Sequence, residues 1–397
     1  VYGHLGEYGG VENVILNQTK LLRKVGYYAY CFFSHVNPNL LDRLNEEETS
    51  KYVRYYFRFP APNNETVRLA LSIPLAPFII RFLEGLEVLI CHGYSPAPFL
   101  GYTLKVHRKI PYISYIHFPP RFLYLESWLK KFWNYTFTRR IVTSLGWVVN
   151  PPQKILDRVS IKHSDFVLVN SRFTGRRIES IYGVKTLVCY PPVDTSIFRP
   201  LNNGDIKGIR GKLGFPLILS VGRIVPIKRV EWLIEMIKHV KEEYPSAMLA
   251  IVGEISDENR RYVENLKYLT KRMGLLRNVK FLGYKSLKEL IKLYNAADVY
   301  VYQAPREDFG LGPVEAMACG TPVVAWNDNA GPSETVIDGK TGFKALPYNI
   351  YDFAEKVKRL ISIGKECLRD KLVSFVCKNF SAENHLKMLI HVLNNVV

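Results

Sequence analysis

Short apolar runs alternate with amphipathic stretches along almost the whole chain, an alternation that predicts parallel α/β structure. In the first half the runs are Tyr28–Phe33, Val88–His92, Tyr112–His117 and Phe166–Asn170, each ending in turn or polar residues. In the second half they are Leu217–Val221, Met248–Val252, Val279–Leu282, Val299–Tyr302 and Pro322–Ala325. The spacing leaves room for a helix between most neighbours. Val230, Leu233, Ile234 and Ile237 fall on one helical face between acids and lysines, so Val230–Glu243 is a predicted amphipathic helix. Leu287–Ala296 reads the same way. Tyr190–Phe215, with Pro191, Pro192, Pro200 and a Gly/Asn/Asp cluster at 202–205, follows neither period and is the predicted interdomain linker.

Three segments carry candidate chemistry. Near the start, Gly6-Glu7-Tyr8-Gly9-Gly10 precedes the helical pattern of Val14, Ile15, Gln18, Leu21 and Leu22. Glycines before a helix let backbone N–H groups approach a phosphate, although the same pattern also serves a plain tight turn. After the apolar run that ends at Val221 come Gly222, Arg223 and Lys228, two cations at the end of a strand where open α/β sheets bind ligands. In the third segment, Glu307, Gly310, Leu311 and Glu315 run from a loop into a short helix. Pro313 suits that helix's first turn and Gly320 its end. Glu315 sits among Val314, Ala316, Met317 and Ala318, where a carboxylate needs a partner.

The spacing from Glu307 to Glu315, the Gly222-Arg223…Lys228 element and the early Gly9-Gly10 loop resemble, in this order, the retaining glycosyltransferases of family 4. Further matches are Asn170-Ser171-Arg172, Tyr190-Pro191-Pro192, Phe281-Leu282-Gly283-Tyr284 and the terminal Phe380-Ser381-Ala382-Glu383. The resemblance implies the GT-B fold, two Rossmann-like domains with parallel sheets facing across a cleft. It implies an acceptor domain over 1–195, a nucleotide-sugar donor domain over 205–378, and a helix over 379–397 that crosses back to the first domain. It further implies that Arg223 and Lys228 hold the leaving diphosphate, aided by N–H groups near Gly9, Gly10, Gly310 and Leu311. Glu315 would hold the ribose and Glu307 the donor sugar's hydroxyls. His117 matches the family's active-site histidine, although a histidine at a strand end often serves structure alone.

Three positions depart from the family pattern. Asn329-Ala330-Gly331-Pro332 replaces Gly-Gly before the proline, Gly253-Glu254-Ile255 replaces Gly-x-Gly, and Arg229 stands where glycine is commoner. The Val225-Pro226-Ile227-Lys228-Arg229 form and the form beginning at His117 resemble the family's mannosyltransferases, which makes GDP-mannose the expected donor. UDP- or ADP-glucose is the alternative. Retention by double displacement needs a carboxylate nucleophile beside an acid partner, which the family lacks, so front-face attack is expected. No two aspartates have the D-x-D spacing of metal-dependent relatives, so neither a metal nor another cofactor is expected.

The chain has 397 residues, 48% of them hydrophobic, enough for two cores. Its 54 Lys and Arg against 36 Asp and Glu give a charge of +18, which favours anionic partners. Nucleotide phosphates, an anionic membrane surface and nucleic acid all fit that charge. For nucleic acid there is neither zinc-finger spacing nor an aromatic RNP-like motif, so a non-enzymatic nucleic-acid or anionic-surface binding protein is the rival reading. Residues 121–140 interleave aromatics with cations, a pattern that fits either a membrane-interface helix with a polyprenyl or other lipid-linked acceptor, or an ordinary cleft-lining helix pair. The longest apolar stretch, Leu69–Ile80, is broken by Ser72, Pro74 and Pro77 and predicts no membrane span. The opening Val1-Tyr2-Gly3-His4 lacks a leader pattern, and the missing Met suggests that some residues precede it. Six cysteines without C-x-x-C spacing read as reduced thiols in a cytoplasmic protein, peripheral on the membrane if lipid-bound.

Overall fold

The computed structural model describes residues 2–5, 9–36, 50–57, 85–94, 96–120, 123–124 and 151–396. Both the predicted interfacial segment at 121–140 and the apolar stretch Leu69–Ile80 lie outside the described residues, apart from Leu123 and Tyr124. By internal contacts the chain divides into two units, Val1–Pro192 with Ala382–Val397, and Val193–Ser381. The division falls at 192/193, ahead of the expected 195–205, because Val193 N donates to Phe380 O at 2.9 Å and ties that residue to the second unit.

In the second unit the strands are β8 (Leu217–Val221), β9 (Met248–Val252), β10 (Val279–Gly283), β11 (Val299–Tyr302), β12 (Val323–Trp326) and β13 (Gly342–Ala345). They form one parallel sheet in the order β10-β9-β8-β11-β12-β13. Numbered from β8, this is the 3-2-1-4-5-6 order of a Rossmann domain, and the strand order reverses between β8 and β11. Leu217–Leu219, Leu249–Ile251, Val299–Val301 and Val323–Ala325 are buried, as expected for strands covered on both faces. That burial explains why they read as continuous apolar runs. β13 escapes this pattern because its first residue is selected by space: a Cβ on Gly342, at φ +156°, would lie 1.8 Å from Val323 O.

The first unit holds two parallel sheets among the described residues. One contains β1 (Tyr2–Leu5), β2 (Cys31–Val36) and β3 (Val53–Phe57); the other runs β4 (Leu89–His92), β5 (Tyr112–Ile116), β6 (Phe166–Val169) and β7 (Leu187–Val188) in sequence order. The final helix Ala382–Leu393 packs within this unit, with neighbours on helix Gly10–Lys24. All six cysteines are free thiols, with Cys367 and Cys377 exposed and the rest buried.

The predicted linker is corrected in part. Asn203–Leu213 is a helix despite Gly204, Gly208 and Gly211. A Cβ at any of the three glycines would meet open space, so they lie on the solvent side and lower only the intrinsic propensity. Tertiary contacts offset that weakness. Ile206 is buried, Arg210 Nε donates to Ala296 O at 3.0 Å, and Arg210 pairs with Asp298 at 2.7 Å.

A buried lysine closes the same corner. Lys365 Nζ donates to Asn295 O and, at 3.0 Å, to Ala297 O, capping the carbonyl end of helix Leu287–Ala296. Burial, then Arg210, lowers its pKa from the usual 10.5 to about 8. Between those values the unfolded chain holds a proton that the folded chain has lost, so this residue's contribution to stability rises with pH across that window. Lys365→Met, which strands both carbonyls, is expected to cost about 3 kcal/mol in urea unfolding and to remove the rise between pH 8 and 10.

Candidate functional site

The site in the second unit starts from the strand order. β8 and β11 are neighbours whose following loops part in opposite directions, and such a switch point is where open α/β sheets leave a crevice beyond the strands' carboxyl ends. The Gly222–Lys228 loop follows β8, and Gln303–Gly310 follows β11. Arg223 and Lys228 line a common pocket with Ser220, Gly222, Tyr302 and Gln303.

Lys228 closes a single 3₁₀ turn, Pro226–Lys228, and its ammonium pairs with the Glu307 carboxylate. Each of the two side chains is 21% exposed, enough to reach solvent and a ligand. Tyr302 OH lies 3.3 Å from the same Nζ. Gln303 ties the two loops together: its Nε2 donates to Lys228 O at 2.9 Å and its Oε1 accepts from Ser220 Oγ at 3.2 Å. Sequence reasoning passed over Gln303, whose only signal was an amide directly after a buried strand. Arg223 is exposed at the rim of the pocket.

Helix Leu311–Ala318 begins at Gly310, whose φ of +79° favours glycine. Gly312 is required by contact, since a Cβ there would stand 2.2 Å from Tyr300 OH. Tyr300 OH in turn donates to Val221 O at 3.2 Å, so the helix start is seated against the end of β8. Glu315 is half-buried and accepts from Tyr294 OH at 2.8 Å, the partner a carboxylate in an apolar helix needs. Burial raises its pKa while the Tyr294 bond lowers it. The structure therefore gathers Arg223, Lys228, Glu307, Gly310, Leu311 and Glu315 around one end of one sheet.

The three departures from the family pattern have local reasons. Asn329 takes φ +57° itself, a conformation asparagine tolerates, and Ala330 is extended, so only Gly331 must lack a side chain: its Cβ would lie 2.5 Å from Asp308 O. Gly253 is equally constrained, with a Cβ 1.9 Å from Gly222 O, while Glu254 and Ile255 are not. Arg229 adopts φ +53° and is held by Glu231 at 2.9 Å and by the Trp232 ring at 4.5 Å.

The remaining candidates belong to the first unit. Gly9 caps helix Gly10–Lys24, and its N–H donates to Glu12 Oε2 at 3.2 Å, so the chain's own carboxylate sits where an anion was expected. His117 follows β5, is 3% exposed, and has its carbonyl held by Asn170 Nδ2 at 2.8 Å. Burial first, then His385, lowers its pKa to about 3. The ring is neutral at physiological pH, able to donate or accept but carrying no charge.

Two family models match most of the chain between them. Residues 8–197 match the family described as Glycosyltransferase Family 4, and residues 205–373 match Glycosyl transferases group 1. With the parallel sheets of both units, they show a glycosyltransferase of the GT-B fold, similar to family 4 over its first half and to group 1 over its second. Among curated relatives, a GDP-Man:Man(3)GlcNAc(2)-PP-Dol alpha-1,2-mannosyltransferase of Dictyostelium discoideum is 31% identical over 57% of this chain and 48% of its own length. A D-inositol 3-phosphate glycosyltransferase of Mycobacterium leprae is 30% identical over 55% of this chain and 51% of its own. The chain thus spans about half the length of the curated relatives it matches. Among solved structures, Anabaena HepE in complex with UDP superposes with a TM-score of 0.77 at 20% identity, covering 99% of both chains. Sucrose-phosphate synthase from Thermosynechococcus elongatus gives 0.77 at 20% identity, covering 100% of this chain and 96% of that one.

The contact between Gly312 and Tyr300 is testable. Gly312→Ala is expected to cost 1–3 kcal/mol, roughly the range for overpacking, and Gly312→Ala with Tyr300→Phe to cost less than the sum of the two single changes. Denaturant unfolding of the four proteins measures the coupling.

Proposed function

We propose that the protein is a retaining glycosyltransferase that moves a hexose, mannose from GDP-mannose, to the hydroxyl of a glycan or lipid-linked acceptor. The observation that carries this reading is the gathering of Arg223, Lys228 and the Gly310–Leu311 start of a helix at the switch point, with carboxylates at Glu307 and Glu315. A diphosphate suits two cations and a helix N-terminus, while ribose and sugar hydroxyls suit carboxylates. Mannose is favoured by the Val225–Arg229 form and by the Dictyostelium relative, whose described donor is GDP-Man.

In this scheme the bond from the anomeric carbon to the diphosphate oxygen breaks as the acceptor oxygen bonds to the same face. The acceptor proton passes to the departing phosphate oxygen. The protein acts chiefly by electrostatics: Arg223, Lys228 and the N–H groups of Gly310 and Leu311 stabilise charge growing on the diphosphate. Lys228 exchanges Glu307 for phosphate, which releases Glu307 to the sugar hydroxyls. Glu315, oriented by Tyr294, takes the ribose. The first unit's own candidates are His117, as a sugar contact, and the amides near Gly9 and Gly10, as phosphate donors once Glu12 yields.

Among the described residues no helix is long and apolar enough to cross a membrane. A lipid-linked acceptor would be met at a membrane surface, to which the +18 charge draws the protein if that surface is anionic.

Arg223→Ala and Lys228→Ala are each expected to lower turnover of GDP-mannose by about 100-fold or more, roughly the effect of losing one preorganised donor. The anomeric configuration of the product, read by NMR, should be alpha. Full turnover is expected in excess chelator, and a chelated enzyme without activity would refute the metal-free scheme. A thermal-shift series should show GDP raising the melting temperature above the shift given by UDP or ADP.

A further inference from the structure

We propose that His92 is a positioning residue that fixes the imidazole of His117. His92 ends β4 and His117 follows β5, so adjacent parallel strands deliver the two rings to the same end of one sheet. The rings are 5.4 Å apart and nearly parallel, at 13°, with His92 Nδ1 3.1 Å from His117 Nε2. Both are buried at 3% exposure. Burial, followed by the neighbouring histidines, pushes both pKa values down, so the two rings share the contact in their neutral forms.

Two neutral imidazoles meeting nitrogen to nitrogen hold a single proton between them. If His92 Nδ1 donates it, His117 must carry its own proton on Nδ1. If His117 Nε2 donates it, His117 Nδ1 is a bare acceptor and His92 carries its one ring proton on Nε2. The hydrogen-bonding character of His117 Nδ1 is therefore set by His92. Tyr115, with its ring centroid 4.5 Å from that of His117, and Asn170, bonded to the His117 carbonyl, restrain the rest of the residue. The third imidazole, His385, is fixed separately, since its Nδ1 donates to Tyr190 O at 2.8 Å. A sugar hydroxyl approaching His117 thus meets one defined donor or acceptor in place of a ring free to flip.

The inference rests on reading His117 as a sugar contact, and the experiment separates the two. The full chain is labelled with ¹⁵N-histidine as wild type, His92→Phe, His92→Asn and His117→Ala, and kcat and KM are measured with GDP-mannose. Expected are a single His117 tautomer in the wild type and mixed tautomers in His92→Phe. In that variant kcat should fall by about tenfold or more, roughly what loss of an orienting partner costs, with KM little changed. His92→Asn keeps a polar atom near His117 Nε2 and should recover most of the activity. A wild-type tautomer signature together with wild-type kcat in His92→Phe would overturn the proposal. If His92→Phe does not fold, His92→Asn decides: mixed His117 tautomers with wild-type kcat, or a single wild-type tautomer with a kcat lowered about tenfold, would overturn it. Unimpaired turnover in His117→Ala would instead refute the sugar contact, while the tautomer signature would still report on His92.

Discussion

The pairing of Lys228 with Glu307 joins the loop after β8 to the loop after β11, and the arrangement of the second unit's site follows from it. Those two strands are sheet neighbours whose following loops diverge, so without a cross-link the loops would be positioned only by their own short turns. Gln303 reinforces the link from below through Lys228 O and Ser220. Tyr300 extends it to the glycine-rich helix start by touching both Val221 O and the space a side chain at position 312 would occupy. Removing a cation here would thus alter both the charge and the geometry of the loop that carries Glu307.

Within each unit the candidate groups are already satisfied by the chain's own residues. Lys228 is neutralised by Glu307, the Gly9 amide by Glu12, and Glu315 is bonded to Tyr294. An anion proposed to bind at Lys228 or at the Gly9 amide would therefore have to displace a carboxylate already in place. Exchange weakens net affinity because each existing contact must be lost, but it spares the site the cost of holding uncompensated charge in a partly buried place. The +18 charge still acts at range, drawing anions toward the surface before any exchange begins.

Much of this was legible in the sequence. Strands buried on both faces announce themselves as apolar runs, which is why β8, β9 and β11 coincide with their predicted limits. Glu315 was identifiable because a lone acid in an apolar helix implies a partner, although nothing in the sequence pointed to Tyr294. What escaped depends on tertiary contact: helix Asn203–Leu213 is held by Arg210 and Ile206 against its own glycines. The pairing of His92 with His117 joins residues 25 apart in sequence through strand adjacency, which no local pattern encodes. Likewise Asn329 and Ala330 looked like losses of glycine, yet only Gly331 sits where a side chain has no room.

Three tyrosines near the site, Tyr294, Tyr300 and Tyr302, explain why a single lysine–carboxylate pair can organise so much. Burial, followed by the neighbouring carboxylates, pushes all three phenols upward in pKa, so they remain neutral throughout the physiological range. Neutral aromatic rings exclude water while their hydroxyls still bond to Glu315, Val221 O and Lys228. Between such walls the local dielectric is lower than in bulk water, and charge–charge attraction strengthens in proportion. Replacing these rings with aliphatic side chains would keep the site dry but leave Glu315 without its hydroxyl, whereas small polar residues would let water screen Lys228. Tyrosine meets both demands, and this accounts for its occurrence at alternate positions of β11 and on the helix just before it.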